Sequence, residues 1–105
     1  MSFEIIKSSK LEEKLENGKI TILNFYADWC GPCQMLGPIL EDLGNDEYQV
    51  LKINVDTDKE KSMEFGVKGI PATFIFNGKT KMNSDPITGF MPKENWISEI
   101  NKLIK

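Results

Sequence analysis

The sequence predicts an α/β fold: a mixed central sheet of about five strands flanked by four helices, in the order βαβαβαββα. Three observations carry that reading. Short runs rich in branched and aromatic residues alternate with stretches of helical apolar spacing, the pattern of successive βα units. The run Ile20-Thr21-Ile22-Leu23-Asn24-Phe25-Tyr26 is apolar almost without a break, as expected of a strand covered on both faces. Late in the chain, Asn77-Gly78 is a hairpin signal that turns the next strand antiparallel and makes the sheet mixed. At 105 residues with 40% hydrophobic side chains, the chain has the size of one domain, residues 1–105, around one core.

The elements follow in order. Phe3 to Lys7 reads as a short strand. Ser8-Ser9 offers an N-cap with Glu12 three positions after Ser9, Leu11 and Leu15 share a face, and Gly18 stops the helix. Residues 20–26 form the central strand. Apolar spacing then becomes helical through Cys33, Met35, Leu36, Ile39, Leu40 and Leu43, with a kink expected at Pro38 and an end at Gly44-Asn45. Val50 to Val55 is the next strand, and Asp58 is placed to cap a short helix that carries Met63 and Phe65 to Gly66. Pro71 opens the strand Ala72 to Phe76, and Asn83-Ser84-Asp85-Pro86 reads as a surface turn. Pro92 suits the first turn of a last helix, where Trp96, Ile97, Ile100, Leu103 and Ile104 make an apolar stripe.

Composition excludes whole classes of chemistry. Thirteen lysines, no arginine and 16 acids give a net charge of −3, so no phosphate-binding surface and no nucleic-acid partner is expected. A chain without histidine builds neither a Ser-His-Asp nor a Cys-His nucleophile pair. Two cysteines do not close a four-sulfur zinc site within one chain, and no metal is expected. No window approaches the roughly 18 apolar residues of a membrane helix, and the first residues carry no apolar targeting segment. The expectation is a cytoplasmic, monomeric protein without a membrane partner, a compartment where closely spaced cysteines react rather than staple.

Those cysteines lie in Trp29-Cys30-Gly31-Pro32-Cys33, just after the central strand and at the opening of a helix. If residues 30–33 enter the helix, their three-residue spacing puts the Cα atoms roughly 5 Å apart, inside the range of about 4.4–6.8 Å that a disulfide accepts. The pair can close and reopen with little backbone movement. The unpaired N–H groups and positive dipole end of a helix start favour a thiolate there. Cys30, nearest the terminus, is the better nucleophile, and Cys33 is one turn in. Two plainer readings compete: a permanent staple, weak because so short a loop constrains the unfolded chain little, and two inert buried thiols, which leaves the bracketing of Gly-Pro at a helix start unexplained.

The segment Phe25-Tyr26-Ala27-Asp28-Trp29-Cys30-Gly31-Pro32-Cys33, the later Gly69-Ile70-Pro71 and the element order together resemble the thioredoxin family over nearly the whole chain. The resemblance implies the thioredoxin fold and a protein-disulfide reductase that cycles a Cys30–Cys33 disulfide and needs no other cofactor. It makes Cys30 the group that attacks a target disulfide and Cys33 the group that resolves the mixed disulfide, with Gly31 and Pro32 tuning the redox potential. Its partners are proteins with disulfides and a reductase, either a flavoprotein or a ferredoxin-dependent enzyme. It implies a cis peptide at Pro71, and it assigns Trp29, Val55, Gly69, Ile70, Pro71, Thr88 and Gly89 to a shallow substrate groove in which Ile70 offers its backbone to an extended chain.

The sequence departs from the family in three places. Asn24 stands where a buried aspartate is usual, so the position that takes the proton of the resolving cysteine does not titrate here, and Lys52, its usual neighbour, faces an uncharged amide, where partial burial favours its neutral form and leaves water or neutral Lys52 to accept that proton. Gln34 replaces a basic residue after the second cysteine. The stretch Asn83–Pro86 lengthens the connection before Gly89 and leaves the fifth strand's bounds open. Two other classes stay on the page: a non-catalytic binding module on the same fold, and a metal or iron–sulfur site shared between two chains.

Overall fold

The computed structural model describes residues 2–105. The strands are β1 (Glu4–Ile5), β2 (Ile20–Tyr26), β3 (Gln49–Asn54), β4 (Ala72–Asn77), β5 (Thr80–Lys81) and β6 (Ile87–Thr88). The helices are α1 (Leu11–Leu15), α2 (Gly31–Asn45), α3 (Lys59–Glu64) and α4 (Lys93–Ile104), with a single 3-10 turn at Ser8–Lys10 before α1. The sheet runs β1-β3-β2-β4-β5, and β6 pairs with the other half of β4. As the apolar run requires, β2 is central. It lies parallel to β3, with Asn24 opposite Lys52, and antiparallel to β4, with Asn24 opposite Thr73.

The two-residue period of β2 divides the core. Leu23 and Phe25 point into a layer with Leu11, Leu15, Phe74 and Phe76, while Ile22 points the other way, among Leu36, Leu40 and Leu43 of α2 and Trp96 and Ile100 of α4. Helix α2 runs unbroken across Pro38 and includes Gly44 and Asn45, which were expected to end it. Gly44 has a different reason: a Cβ there would collide with the backbone carbonyl of Ser2, so the glycine lets the N-terminal segment cross the helix.

Both expected helix caps are used elsewhere. Asp58 accepts hydrogen bonds from the Ser8 backbone N–H (2.9 Å) and hydroxyl (2.6 Å), so α1 and α3 start without side-chain caps and the two capping residues satisfy each other. The first strand shrinks to Glu4–Ile5, prolonged only by the Ile6 N–H bond to Lys52 O. The hairpin is shifted by one residue: Asn77 still pairs, with Thr80, and the loop is Gly78-Lys79. Gly78 at φ +61 and no positive φ at Lys79 is the pattern of a II′ turn, which needs glycine at its first central position.

The fifth strand is split, and among the described residues the sheet therefore has six strands. Asn83, expected in a surface turn, bridges the gap along the β4 edge. Its side chain accepts from the Ile75 N–H (2.8 Å) and donates to the carbonyls of Thr73 (3.2 Å) and Asp85 (2.9 Å). One amide side chain thus stands in for a residue of the missing strand. Asn83→Ala leaves the Ile75 N–H without its partner, and an unsatisfied donor costs about 1–3 kcal/mol. Denaturation should show that loss, and hydrogen exchange at Ile75 should accelerate. Unchanged Ile75 protection contradicts the bridging role.

Candidate active site

Strand β2 ends at Tyr26 and a short loop, Ala27–Trp29, delivers the chain to α2. Cys30 is the N-cap of α2 in extended conformation, with Pro32 in the first turn, where its missing N–H leaves no bond unmade. The Cys33 backbone N–H, one of the helix's unpaired donors, points at Cys30 Sγ (3.2 Å). Cys30 and Cys33 form a disulfide with Cα atoms 5.2 Å apart, the separation expected from helical spacing. Each is only 5% exposed.

The loop before β4 comes to the same place. Ile70–Pro71 is a cis peptide, and the Ile70 carbonyl oxygen lies 3.8 Å from Cys30 Sγ. Trp29, Val55, Gly69 and Ile70 line one open cleft of about 330 Å³ with Val67 and Lys68 beside them. Trp29 is 70% exposed, and its indole N–H donates to Asp56 Oδ2 (2.8 Å), which fixes the ring across the cleft's rim. Thr88 and Gly89 line no part of that cleft. They approach through the backbone: Thr88 pairs with Ala72 in the sheet, and the Gly89 N–H donates to Pro71 O (2.9 Å). Gly31 and Pro32 are exposed on the outer side of the disulfide.

Behind Cys33 the arrangement is different. Asn24 is 2% exposed and donates to Thr73 Oγ1 (3.1 Å), so its amide is bound within the sheet. Lys52, 9% exposed, shares a second cleft of about 260 Å³ with Cys33, and its ammonium stacks over the rings of Tyr26 (4.4 Å) and Phe3 (4.9 Å). Burial lowers the Lys52 pKa, with the carboxylate of Asp28 acting in the opposite direction. Burial likewise raises the Tyr26 phenol, and the Asp28 charge adds to it. Gln34 donates from its side-chain amide to the Asp28 carbonyl (3.0 Å) and steadies the loop. Asp28, Asp56 and the aromatic box around Lys52 had no role in the sequence reading. Asp28 was visible two residues before Cys30, but nothing local says which way a surface aspartate faces.

The folded state releases the Lys52 proton at lower pH than the unfolded chain does. Between that lowered value and 10.5, the unfolded state binds more protons and stability rises with pH; below the window, the buried charge is a constant penalty. The two ring faces return part of it. Lys52→Met should therefore be more stable than the parent at neutral pH and lack the alkaline rise, as read by urea denaturation across pH. A parent whose stability falls through that window, relative to the variant, contradicts this.

A redox-active pair of cysteines at a helix start, held against a cis-proline loop at the edge of an apolar cleft, defines the class of thiol–disulfide exchange proteins. The comparisons agree on the family. The family model described as Thioredoxin matches residues 2–102. A thioredoxin of Mycoplasmoides gallisepticum is 38% identical over 103 residues, which cover 96% of this chain and 97% of that one. A thioredoxin of Rickettsia conorii is 34% identical over 108 residues, covering 99% and 100%. Among solved structures, a mutant thioredoxin from Halobacterium salinarum matches at TM-score 0.86 with 27% identity over 98% of this chain and 90% of that one. Chloroplastic thioredoxin z matches at TM-score 0.86 with 25% identity, covering 99% and 96%. The chain belongs to the thioredoxin family and is a thiol–disulfide oxidoreductase. Among the described residues no helix is long and apolar enough to cross a membrane.

Proposed function

We propose that the chain reduces disulfides in other proteins, with Cys30 as the attacking thiolate and Cys33 as the resolving thiol. The observation that carries this reading is the asymmetry of the pair: Cys30, the N-cap of α2, receives the Cys33 N–H at its Sγ (3.2 Å) beside the Ile70 carbonyl, while Cys33 sits one turn inside α2. A hydrogen bond and a helix start stabilise the anion of one sulfur only. The extended segment of a target lies along Trp29, Val55, Gly69 and Ile70, where the Ile70 backbone offers strand-like bonds, and Pro71, Thr88 and Gly89 hold that backbone in place.

The Cys30 thiolate attacks one target sulfur, forming a mixed disulfide and releasing the other target sulfur as a thiolate. Cys33, deprotonated, then attacks Cys30 Sγ; the bond to the target breaks, its electron pair leaves with the target sulfur, and Cys30–Cys33 closes. The target gains two electrons and the protein loses two. Gly31 and Pro32 set the potential at which this happens, and Asn24 with Lys52 occupies the place from which the Cys33 proton is managed. A reductase, flavoprotein or ferredoxin-dependent, restores the dithiol, so the protein needs no cofactor of its own and works as a cytoplasmic monomer. Reduction of insulin by dithiothreitol tests the core of this: catalysis by the parent and none by Cys30→Ser supports it, and undiminished catalysis by Cys30→Ser overturns it.

A further inference from the structure

Cys33 is buried, and the strand position from which the family resemblance expects its proton to be taken holds an amide. Asn24 has no titratable group, and its NH₂ is committed to Thr73 Oγ1. The resolving thiol still has to lose a proton before it attacks. The cleft of about 260 Å³ that reaches Cys33 from the side away from the substrate is wide against the roughly 30 Å³ that one water occupies in the liquid. Four elements surround it. The N-terminal segment with β1 presents Phe3 and Ile5, neither titratable; α2 presents Cys33 and Gln34; β3 presents Lys52; and the end of β2 with its loop presents Tyr26 and Asp28.

Three of those groups besides Cys33 titrate, and two are poor acceptors. The Lys52 ammonium, over the faces of Tyr26 and Phe3, has no lone pair to offer. The Tyr26 phenol, raised above its ordinary 10.0, is neutral and a weak base. Asp28 is the one carboxylate. It stands two residues before Cys30, its loop is tied to α2 by the Gln34 bond to its carbonyl (3.0 Å), and its side chain is exposed at the cleft's mouth. Its charge is felt by both Lys52 and Tyr26 inside the cleft.

We propose that Asp28 is the proton acceptor for Cys33, through water in this cleft, and that Lys52 is the positioning residue that draws the carboxylate toward it. The inference rests on Cys33 being the resolving thiol. In the resolving step the Cys33 S–H bond breaks, its proton passes through water to an Asp28 carboxylate oxygen, and the sulfur's electron pair forms the bond to Cys30 Sγ as the target thiolate leaves. Asp28, open to solvent, then releases the proton to bulk water. The chain thus carries at a cleft mouth a carboxylate function that its central strand lacks.

The test mixes the reduced protein with a small aromatic disulfide, dithiobis(nitrobenzoate), in a stopped-flow instrument. Each reduced protein releases two coloured thiolates: the first reports Cys30 attack, the second Cys33 resolution. Asp28→Asn should leave the first phase within about twofold and slow the second about tenfold or more at neutral pH, since a positioned base is worth roughly 10²–10⁴ and water partly replaces it. The deficit should shrink as pH rises and Cys33 ionises unaided. Asp28→Glu, or added formate with Asp28→Asn, should restore the second phase. An Asp28→Asn second phase with parental rate and pH profile overturns the proposal, as does a slowed one that neither glutamate nor formate rescues. Failure of the underlying reading looks different: the parent would release no second thiolate, or Cys30→Ser would release its first at the parental rate.

Discussion

Cys33→Ser is expected to turn a catalyst into a stoichiometric trap. The substitution removes the second sulfur but leaves the backbone N–H of residue 33, which donates to Cys30 Sγ at 3.2 Å, so the attacking thiolate keeps its stabilisation. A serine hydroxyl does not displace a thiolate from a disulfide. The mixed disulfide therefore forms at the parental rate and stays until an external thiol removes it. In the parent, the second sulfur sits on a residue whose Cα is only 5.2 Å away and closes the ring before the target diffuses off. Incubating the reduced variant with an oxidised protein and quenching with acid should give a covalent one-to-one adduct by mass spectrometry, absent from Cys30→Ser. Dithiothreitol-driven insulin reduction should fall to near the protein-free rate. Sustained turnover by Cys33→Ser, or no adduct, rejects the assignment of the two sulfurs.

Long, strongly patterned stretches were legible from sequence. Strand β2 has the expected bounds, Ile20–Tyr26, and α2 starts at the cysteine motif, because a seven-residue run broken only by Thr21 and Asn24 and four turns of helical spacing leave few alternatives. Short elements were misjudged for a common physical reason. Ser8 and Asp58 both carry the local chemistry of a helix cap, and each finds a better partner in the other, 50 residues away in the chain. Asn83 carries the chemistry of a turn, and its amide instead completes the ladder of a strand ten residues earlier. A polar side chain advertises what it can bond to, and only the tertiary structure decides among the offers.

The same distinction runs through the site. The Cys30–Cys33 geometry is a property of one helical turn, so its 5.2 Å spacing was available from the motif. The Trp29–Asp56 bond spans 27 residues, and the box around Lys52 combines Phe3 with Tyr26 from separate elements. The register that sets Asn24 opposite Lys52 is a pairing of two distant strands. The neutral amide was readable, and so was the lowered ammonium of its neighbour. The carboxylate that opposes the lowering was not, because Asp28 and Lys52 come to line one cleft only through the pairing of β2 with the distant β3.

Trp96→Ala should be among the most destabilising single substitutions in the chain, and it should do so without touching the sulfur chemistry. Trp96 is 0% exposed; it fills the layer between α4 and α2 with Leu36, Leu40 and Leu43, and its indole N–H donates to Met91 O (3.1 Å). Truncating a buried tryptophan costs about 3–5 kcal/mol, because the cavity left behind collapses only in part. Against a total stability of about 5–15 kcal/mol that is a large share, and at about 4–8 °C per kcal/mol the melting temperature should fall by well over 10 °C. Trp96→Phe separates the two contributions. It keeps most of the apolar volume and strips the Met91 carbonyl of its donor, so it should cost about 1–3 kcal/mol. The cysteines lie in another cluster, with Tyr26 and Ala27 at the end of β2, so the fraction of Trp96→Ala that stays folded should still attack a disulfide through Cys30 at the parental rate. Calorimetry and stopped-flow on the same samples read both halves. A Trp96→Ala protein as stable as the parent would mean that α4 is not seated on this face, and one that is stable but slow at Cys30 would mean that the two clusters are coupled through α2.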